Sequence, residues 1–177
     1  GGKTDMLFLQ NHLKRLLVGI FFRFGFLILD YRKLKNTSYY LIIFSILLLV
    51  LTKIYYLANG FSWFKPARWL FIGPFSIQTS DLARFSVIIF VAFYADKKKN
   101  ILKEFQNGLM PVIIILGIVM SLIIIQPDYS TALMIGIIGI TILFVAGAKV
   151  SHLLFIGSCA ILVLIPVLLS REYRWQR

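Results

Sequence analysis

Six apolar stretches, each near the length that carries a helix across a bilayer, follow one another in this chain. They run from about Leu13 to Leu29, Tyr39 to Leu57, Leu82 to Ala95, Leu109 to Ile125, Thr131 to Ala148 and Val150 to Leu169. A helix needs about 20 mostly apolar residues to cross the hydrocarbon. The third stretch is short by that measure and is expected to begin inside the preceding loop. Only Gly147, Ala148 and Lys149 separate the last two, which predicts a tight helical hairpin. With 59% hydrophobic residues and seven acids in 177, the expected fold class is all-α, a polytopic transmembrane helical bundle, with residues 1–177 forming a single integral-membrane domain.

The formal charge of +12 would suggest nucleic acid in a soluble protein. Here the basic residues sit at the ends of apolar spans, with no aromatic-interleaved basic surface and no nucleic-acid motif, so membrane topology is the better explanation. Arg32, Lys33, Lys35, Lys97, Lys98, Lys99, Lys103 and Lys149 fall on one set of connections; Lys53, Lys65 and Arg68 fall on the alternate set. Eight against three predicts that the first set faces the cytoplasm, although the basic residues at the two chain ends count the other way. Under this orientation Arg68 to Arg84 and Gln126 to Thr131 face outward.

Several chemistries find no support. Cys159 is alone in an apolar span, which excludes a disulfide framework and a thiol metal site. His12 and His152 lie far apart near predicted helix ends and read as interfacial side chains. No nucleotide-binding, hydrolase or zinc-peptidase motif is present, and no metal ligand set is assigned. The connection from Asp96 to Gly108 admits two readings: a short surface helix carried by Ile101, Leu102 and Phe105, or a solvated basic connector. Gly136 and Gly139 are expected to permit close helix packing.

The passage from Arg68 to Arg84 is densely polar and aromatic within a hydrocarbon-rich chain. Arg68 can offer a planar fork of donors to a diphosphate, or with Trp69 can anchor a helix at the headgroup level. Asp81 and Arg84, three apart, share a helix face and can neutralise one another. Thr79 or Ser80 can cap the helix that follows, and Asp128 can cap the one after Pro127 by accepting amide hydrogens from Ser130 or Thr131. A carboxylate at membrane depth costs about 2.5 to 3.5 kcal/mol on insertion scales unless paired or wet, so Asp128 also qualifies as a functional candidate.

The same residues carry a resemblance. Ala67 to Arg84 fits the pattern A-R-W-x-x-x-G-P-F-x-x-Q-x-S-(D/E)-L-A-(K/R), and Gln126-Pro127-Asp128-Tyr129-Ser130-Thr131-Ala132 fits Q-P-D-x-(G/S)-T-A. Phe8 to Leu16, Asp30-Tyr31-Arg32, Phe105 to Pro111 and the closing Tyr173-Arg174-Trp175-Gln176-Arg177 follow in order. Together they resemble the SEDS family (shape, elongation, division and sporulation), whose FtsW and RodA members polymerise lipid II into peptidoglycan strands; the likeness leans toward FtsW. Departures are the missing proline in Gln78-Thr79-Ser80, Arg84 for a lysine, Asp81 for a glutamate and Ser130 for a glycine.

The resemblance implies a larger fold of about ten helices, of which this chain would be a segment truncated at both ends. It implies glycosyl transfer by the full-length parent, with residues 1–177 alone expected to be inactive, because the family's expected base lies beyond Arg177. No catalytic residue is therefore assigned. The substrate-binding candidates it implies are Arg68, Trp69, Gln78, Ser80, Asp81, Arg84, Gln126, Asp128, Arg174 and Arg177. Implied partners are lipid II and undecaprenyl-diphosphate-linked glycan, a class B penicillin-binding protein, other division or elongation proteins and the membrane, with no nucleic acid. No cofactor is implied, a divalent cation being left open. The implied location is the bacterial cytoplasmic membrane at the division site. Two other classes are compatible with an intramembrane cluster of Asp81, Arg84 and Asp128: a flippase or transporter of lipid-linked precursors, and a non-catalytic scaffold of the division machinery.

Overall fold

The computed structural model describes Leu13, Leu16, Ile20 and residues 31–60, 69–72 and 75–169. The chain divides into two compact units, residues 1–37 and 38–177. In the first, Leu13, Leu16 and Ile20 are helical with exposed side chains. The described elements are helix α1 (Tyr31–Ala58), strands β1 (Trp69–Ile72) and β2 (Phe75–Gln78), helix α2 (Thr79–Lys97), a π-helical turn (Phe105–Leu109), and helices α3 (Met110–Ile125), α4 (Tyr129–Val145) and α5 (Val150–Leu169).

The fold is helical, as the apolar runs predict. Thr37–Ala58 and Phe105–Ile125 are, among the described residues, the two stretches long and apolar enough to cross a membrane, with mean hydropathies of 2.3 and 2.9. Both present large apolar side chains outward as well as inward: Ile43, Phe44, Leu47 and Leu51 on α1, and Ile114 and Ile118 on α3, are exposed. Helices apolar all round suit a lipid surround.

The hairpin is what the sequence reading did not foresee. β1 and β2 pair antiparallel with Trp69 opposite Gln78 and Ile72 opposite Phe75. Where a polar passage leaves the helix, its backbone N–H and C=O groups still need partners, and a two-stranded ladder supplies them. β2 then runs directly into α2, so the helix expected over Leu82 to Ala95 extends from Thr79 to Lys97.

Within the second unit, α4 lies along both α2 and α3. Val87, Phe90 and Val91 of α2, Val112, Leu116, Val119 and Ile123 of α3, and Ala132, Ile135 and Leu143 of α4 form the core, joined by Ile42 and Leu49 of α1. Glycine sets the α3–α4 approach. A Cβ at Gly139 would stand 2.6 Å from Leu116 Cδ1, and one at Gly136 would stand 3.0 Å from Met120 Cε. Between helices in lipid, where apolar burial gives little drive, such close contact and interhelical hydrogen bonds carry the association. Ser45 Oγ and Ser86 Oγ, 2.6 Å apart and buried, supply one such bond between α1 and α2.

The α4–α5 turn is tight, as predicted. Gly147 has φ +93°, its N–H reaches Phe144 O at 3.0 Å, and Ala148 N–H reaches Leu143 O at 3.0 Å. This paired closure ends a helix on a left-handed glycine. The connection from Asp96 to Gly108 is neither a surface helix nor an open connector. Residues 98–103 form turns, Leu102 is fully buried, Tyr94 Oη donates to Gly108 O at 2.9 Å, and Phe105 meets the His152 ring edge-on at 5.3 Å.

Candidate functional site

A polar constellation gathers where β2 enters α2. Gln78 occupies the position before the first helical residue and makes no side-chain cap bond. Instead its Nε2 donates to Ser80 Oγ at 3.0 Å, and Ser80 Oγ donates to Asp128 Oδ2 at 3.0 Å across 48 residues of sequence. Ser80 and Thr79 are buried, and Asp128 is 2% exposed. The two polar passages that the sequence analysis singled out therefore close on each other.

The capping expectations are corrected here. Neither helix start has a side-chain cap: Ser80 turns its hydroxyl inward to a carboxylate, and Asp128, at the N-cap position of α4, makes no side-chain bond to the first turn. The main-chain carbonyl of Asp128 still accepts Ala132 N–H at 3.1 Å. The physical reason is burial. A carboxylate at 2% exposure needs donors that reach it inside the protein, and the Ser80 hydroxyl on the packed neighbouring helix is one.

The turn between α3 and α4 is tied to α1 by two further bonds. Gln126 Nε2 donates to Leu49 O at 2.9 Å, and Lys53 Nζ donates to Ile125 O at 3.1 Å. Gln126 Oε1 is buried with no hydrogen-bond partner. Lys53 is only 8% exposed. The sequence reading had counted it among connection charges and missed it as a site residue; its place inside the apolar run Tyr39 to Leu57 was the signal available. Tyr56 Oη donates to Trp69 O at 3.2 Å, linking α1 to the hairpin as well.

A charged pair follows along α2. Arg84 Nη2 pairs with Asp81 Oδ1 at 2.8 Å, the side chains being 35% and 49% exposed, and Arg84 Nη1 reaches Met134 Sδ of α4 at 3.2 Å. The expected mutual neutralisation of Asp81 and Arg84 is thus realised in the geometry. Trp69, on β1, is 43% exposed. Arg68, Arg174 and Arg177 lie outside the described residues. Among the described residues, no three His, Cys, Asp or Glu side chains cluster to hold a metal ion. Chemically, the arrangement offers a buried hydrogen-bonded cluster at the helix starts and, on the same elements, a guanidinium paired with a carboxylate and an exposed indole.

Comparison with known proteins follows this geometry. The chain matches the family profile described as "Cell cycle protein", covering FtsW, RodA and SpoVE, over residues 2–177. It is 33% identical over 167 residues to stage V sporulation protein E of Bacillus subtilis, covering 90% of this chain and 43% of that protein. It is 30% identical over 111 residues to a probable peptidoglycan glycosyltransferase FtsW of Geobacter sulfurreducens, covering 63% of this chain and 30% of the relative. The crystal structure of the rod shape determining protein RodA of Thermus thermophilus superposes with a TM-score of 0.67 at 26% identity, over 84% of this chain and 47% of that one. The chain spans less than half the length of each of these relatives.

Proposed function

Because the chain belongs to the FtsW, RodA and SpoVE family of cell cycle proteins, we propose that the intact protein carrying it is a membrane-embedded peptidoglycan glycosyltransferase that polymerises lipid II. The observation that supports this reading most is the Ser80–Asp128 bond, which joins the two family-like passages at one end of the bundle. A transporter or scaffold has no specific observation in its favour.

In the proposed reaction the 4-hydroxyl of one lipid-linked disaccharide attacks the anomeric carbon of a lipid-diphosphate-linked glycan. The bond from that carbon to the diphosphate oxygen breaks, polyprenyl diphosphate leaves with the electron pair, and the hydroxyl proton passes to a base. Positive charge near the leaving diphosphate lowers the barrier. Arg84 of α2 and Arg68, which precedes the hairpin in sequence, are the residues we propose for that role, with Trp69 at the headgroup level. Gln78, Ser80, Gln126 and Asp128 are proposed as the polar cluster that completes the site. Asp128 is not proposed as the base: it is buried and already accepts from Ser80, whereas a base must reach the acceptor hydroxyl. Arg174 and Arg177 are proposed as further contacts to the glycan or its diphosphate.

We further propose a multi-pass protein of the bacterial cytoplasmic membrane acting at the division site beside a class B penicillin-binding protein, with the Lys97 to Lys103 connection cytoplasmic. The excess of basic residues at that set of span ends motivates this orientation. The test is reconstitution of the intact protein with lipid II. Glycan strands on a gel support the reading, and Arg68→Ala and Asp81→Ala reduce them while Lys98→Ala does not. Exposure of lipid II on the far leaflet without strands would indicate a flippase, and neither activity a scaffold.

A further inference from the structure

Lys53 and Asp128 are the two buried charged residues among those described, they are opposite in sign, and both converge on the four-residue turn from Ile125 to Asp128. A lysine is almost never buried without a partner, and one near a membrane surface ordinarily extends its ammonium to the interface. Lys53 instead turns inward, and its Nζ donates to Ile125 O, the last carbonyl of α3.

That choice has an electrostatic logic. The C-terminus of α3 carries the negative end of its helix dipole and carbonyls without intrahelical donors; the N-terminus of α4 carries the positive end. A cation at the first and a carboxylate at the second complement both ends of one turn. Leu49 and Lys53, four apart on the same face of α1, grip the turn side by side: Leu49 O receives Gln126 Nε2, and Lys53 Nζ reaches the adjacent residue. Ser80 then draws the far end of the turn to α2. Three elements meet through these contacts.

We propose that Lys53 is a positioning residue for the reaction: it fixes the Ile125–Asp128 turn against α1 and thereby holds the Asp128 carboxylate where Ser80 meets it. This rests on the polymerase reading above. Lys53 is too enclosed to touch substrate, so its effect is transmitted through the turn and appears in turnover rather than in substrate affinity.

The test uses the intact protein and four variants: Lys53→Met, Lys53→Arg, Asp128→Asn and the Lys53→Met/Asp128→Asn double. Strand synthesis measured against lipid II concentration should show kcat of Lys53→Met falling about ten- to a hundredfold, the cost of a small misplacement of a positioned group, with KM changed less than about twofold. Lys53→Arg, which keeps the charge, should retain most of kcat. Thermal unfolding without substrate should show Lys53→Met lowered and the double variant losing less than the sum of the two singles, since both side chains act on the same turn. Should Lys53→Met fail to fold, the double variant and Lys53→Arg still report. Additive unfolding shifts, an arginine variant as impaired as the methionine one, or a defect confined to KM would each overturn the proposal. Because the unfolding cycle needs no activity, non-additive shifts in a protein that makes no strands would refute the polymerase reading while supporting the Lys53–Asp128 coupling.

Discussion

Replacing Ser80 by alanine tests the bond on which the site reading depends. The hydroxyl is buried, accepts from Gln78 Nε2 and donates to Asp128 Oδ2, both at 3.0 Å. Gln78 is half-buried, so its amide can turn to solvent and its loss adds little. Asp128 cannot do so at 2% exposure. A hydrogen bond to a charged group contributes about 1.5 to 3 kcal/mol, whereas measured couplings between membrane helices average about 0.6 and reach about 1.7 kcal/mol. The ionised acceptor argues for the overlap of these ranges, and other contacts to Asp128 argue against exceeding it. We therefore expect Ser80→Ala to destabilise the intact protein by about 1.5 to 1.7 kcal/mol, a roughly ten- to twentyfold shift toward unfolded protein. Reversible unfolding in mixed detergent micelles measures this, together with Asp128→Asn and the double variant. The double should be milder than the sum by about 1 kcal/mol, because each single change breaks the same bond. A loss below about 0.5 kcal/mol, the scale of an ordinary surface substitution, or strict additivity would refute the reasoning.

What could be read beforehand follows from which physical rules act locally. Apolar runs and their connections announce helices, and connection parity alone brings Arg68 to Arg84 and Gln126 to Thr131 to the same end. Gly136 and Gly139 announce a close approach because only a missing Cβ allows it. The hairpin was not legible: a passage so rich in polar and aromatic residues shows no clear two-residue alternation, and its pairing satisfies a backbone need that composition does not display. Sequence spacing offers Ser80 (or Thr79) and Asp128 as caps, beside their functional candidacy, because local side-chain-to-backbone bonds are what spacing suggests. Their actual bond spans 48 residues, so only the packing of α2 against α4 reveals it. Lys53 was misread for a related reason. Charge counting treats a lysine near a span's end as a topological signal, and burial, which sequence cannot show, turns it into an interior group.

Three further outcomes are expected. A cysteine placed at Lys98 should resist membrane-impermeant thiol reagents in intact cells and react after permeabilisation; labelling from outside would reverse the proposed orientation. Gly108→Ala should destabilise strongly in thermal unfolding, because a Cβ there would collide with the backbone oxygen of Ile101, which is held by Glu104 N–H at 2.9 Å, while Gly108 itself is held by Tyr94 Oη on its carbonyl; near-normal unfolding would mean that the turn is looser than described. Gly139→Ala should cost about 1 to 3 kcal/mol and Gly136→Ala less than about 1. Both additions meet the tip of a side chain, but the side chains differ. The Cβ at Gly136 meets Met120, half-buried and unbranched, whose thioether can swing aside; the Cβ at Gly139 meets both methyls of Leu116, enclosed in the core between α3 and α4. Leu116→Ala empties the space that the added methyl needs, so the Gly139→Ala/Leu116→Ala pair should be less destabilised than the sum of its singles. Additive losses in the unfolding assay would show that the helices part around residue 139 rather than compress there.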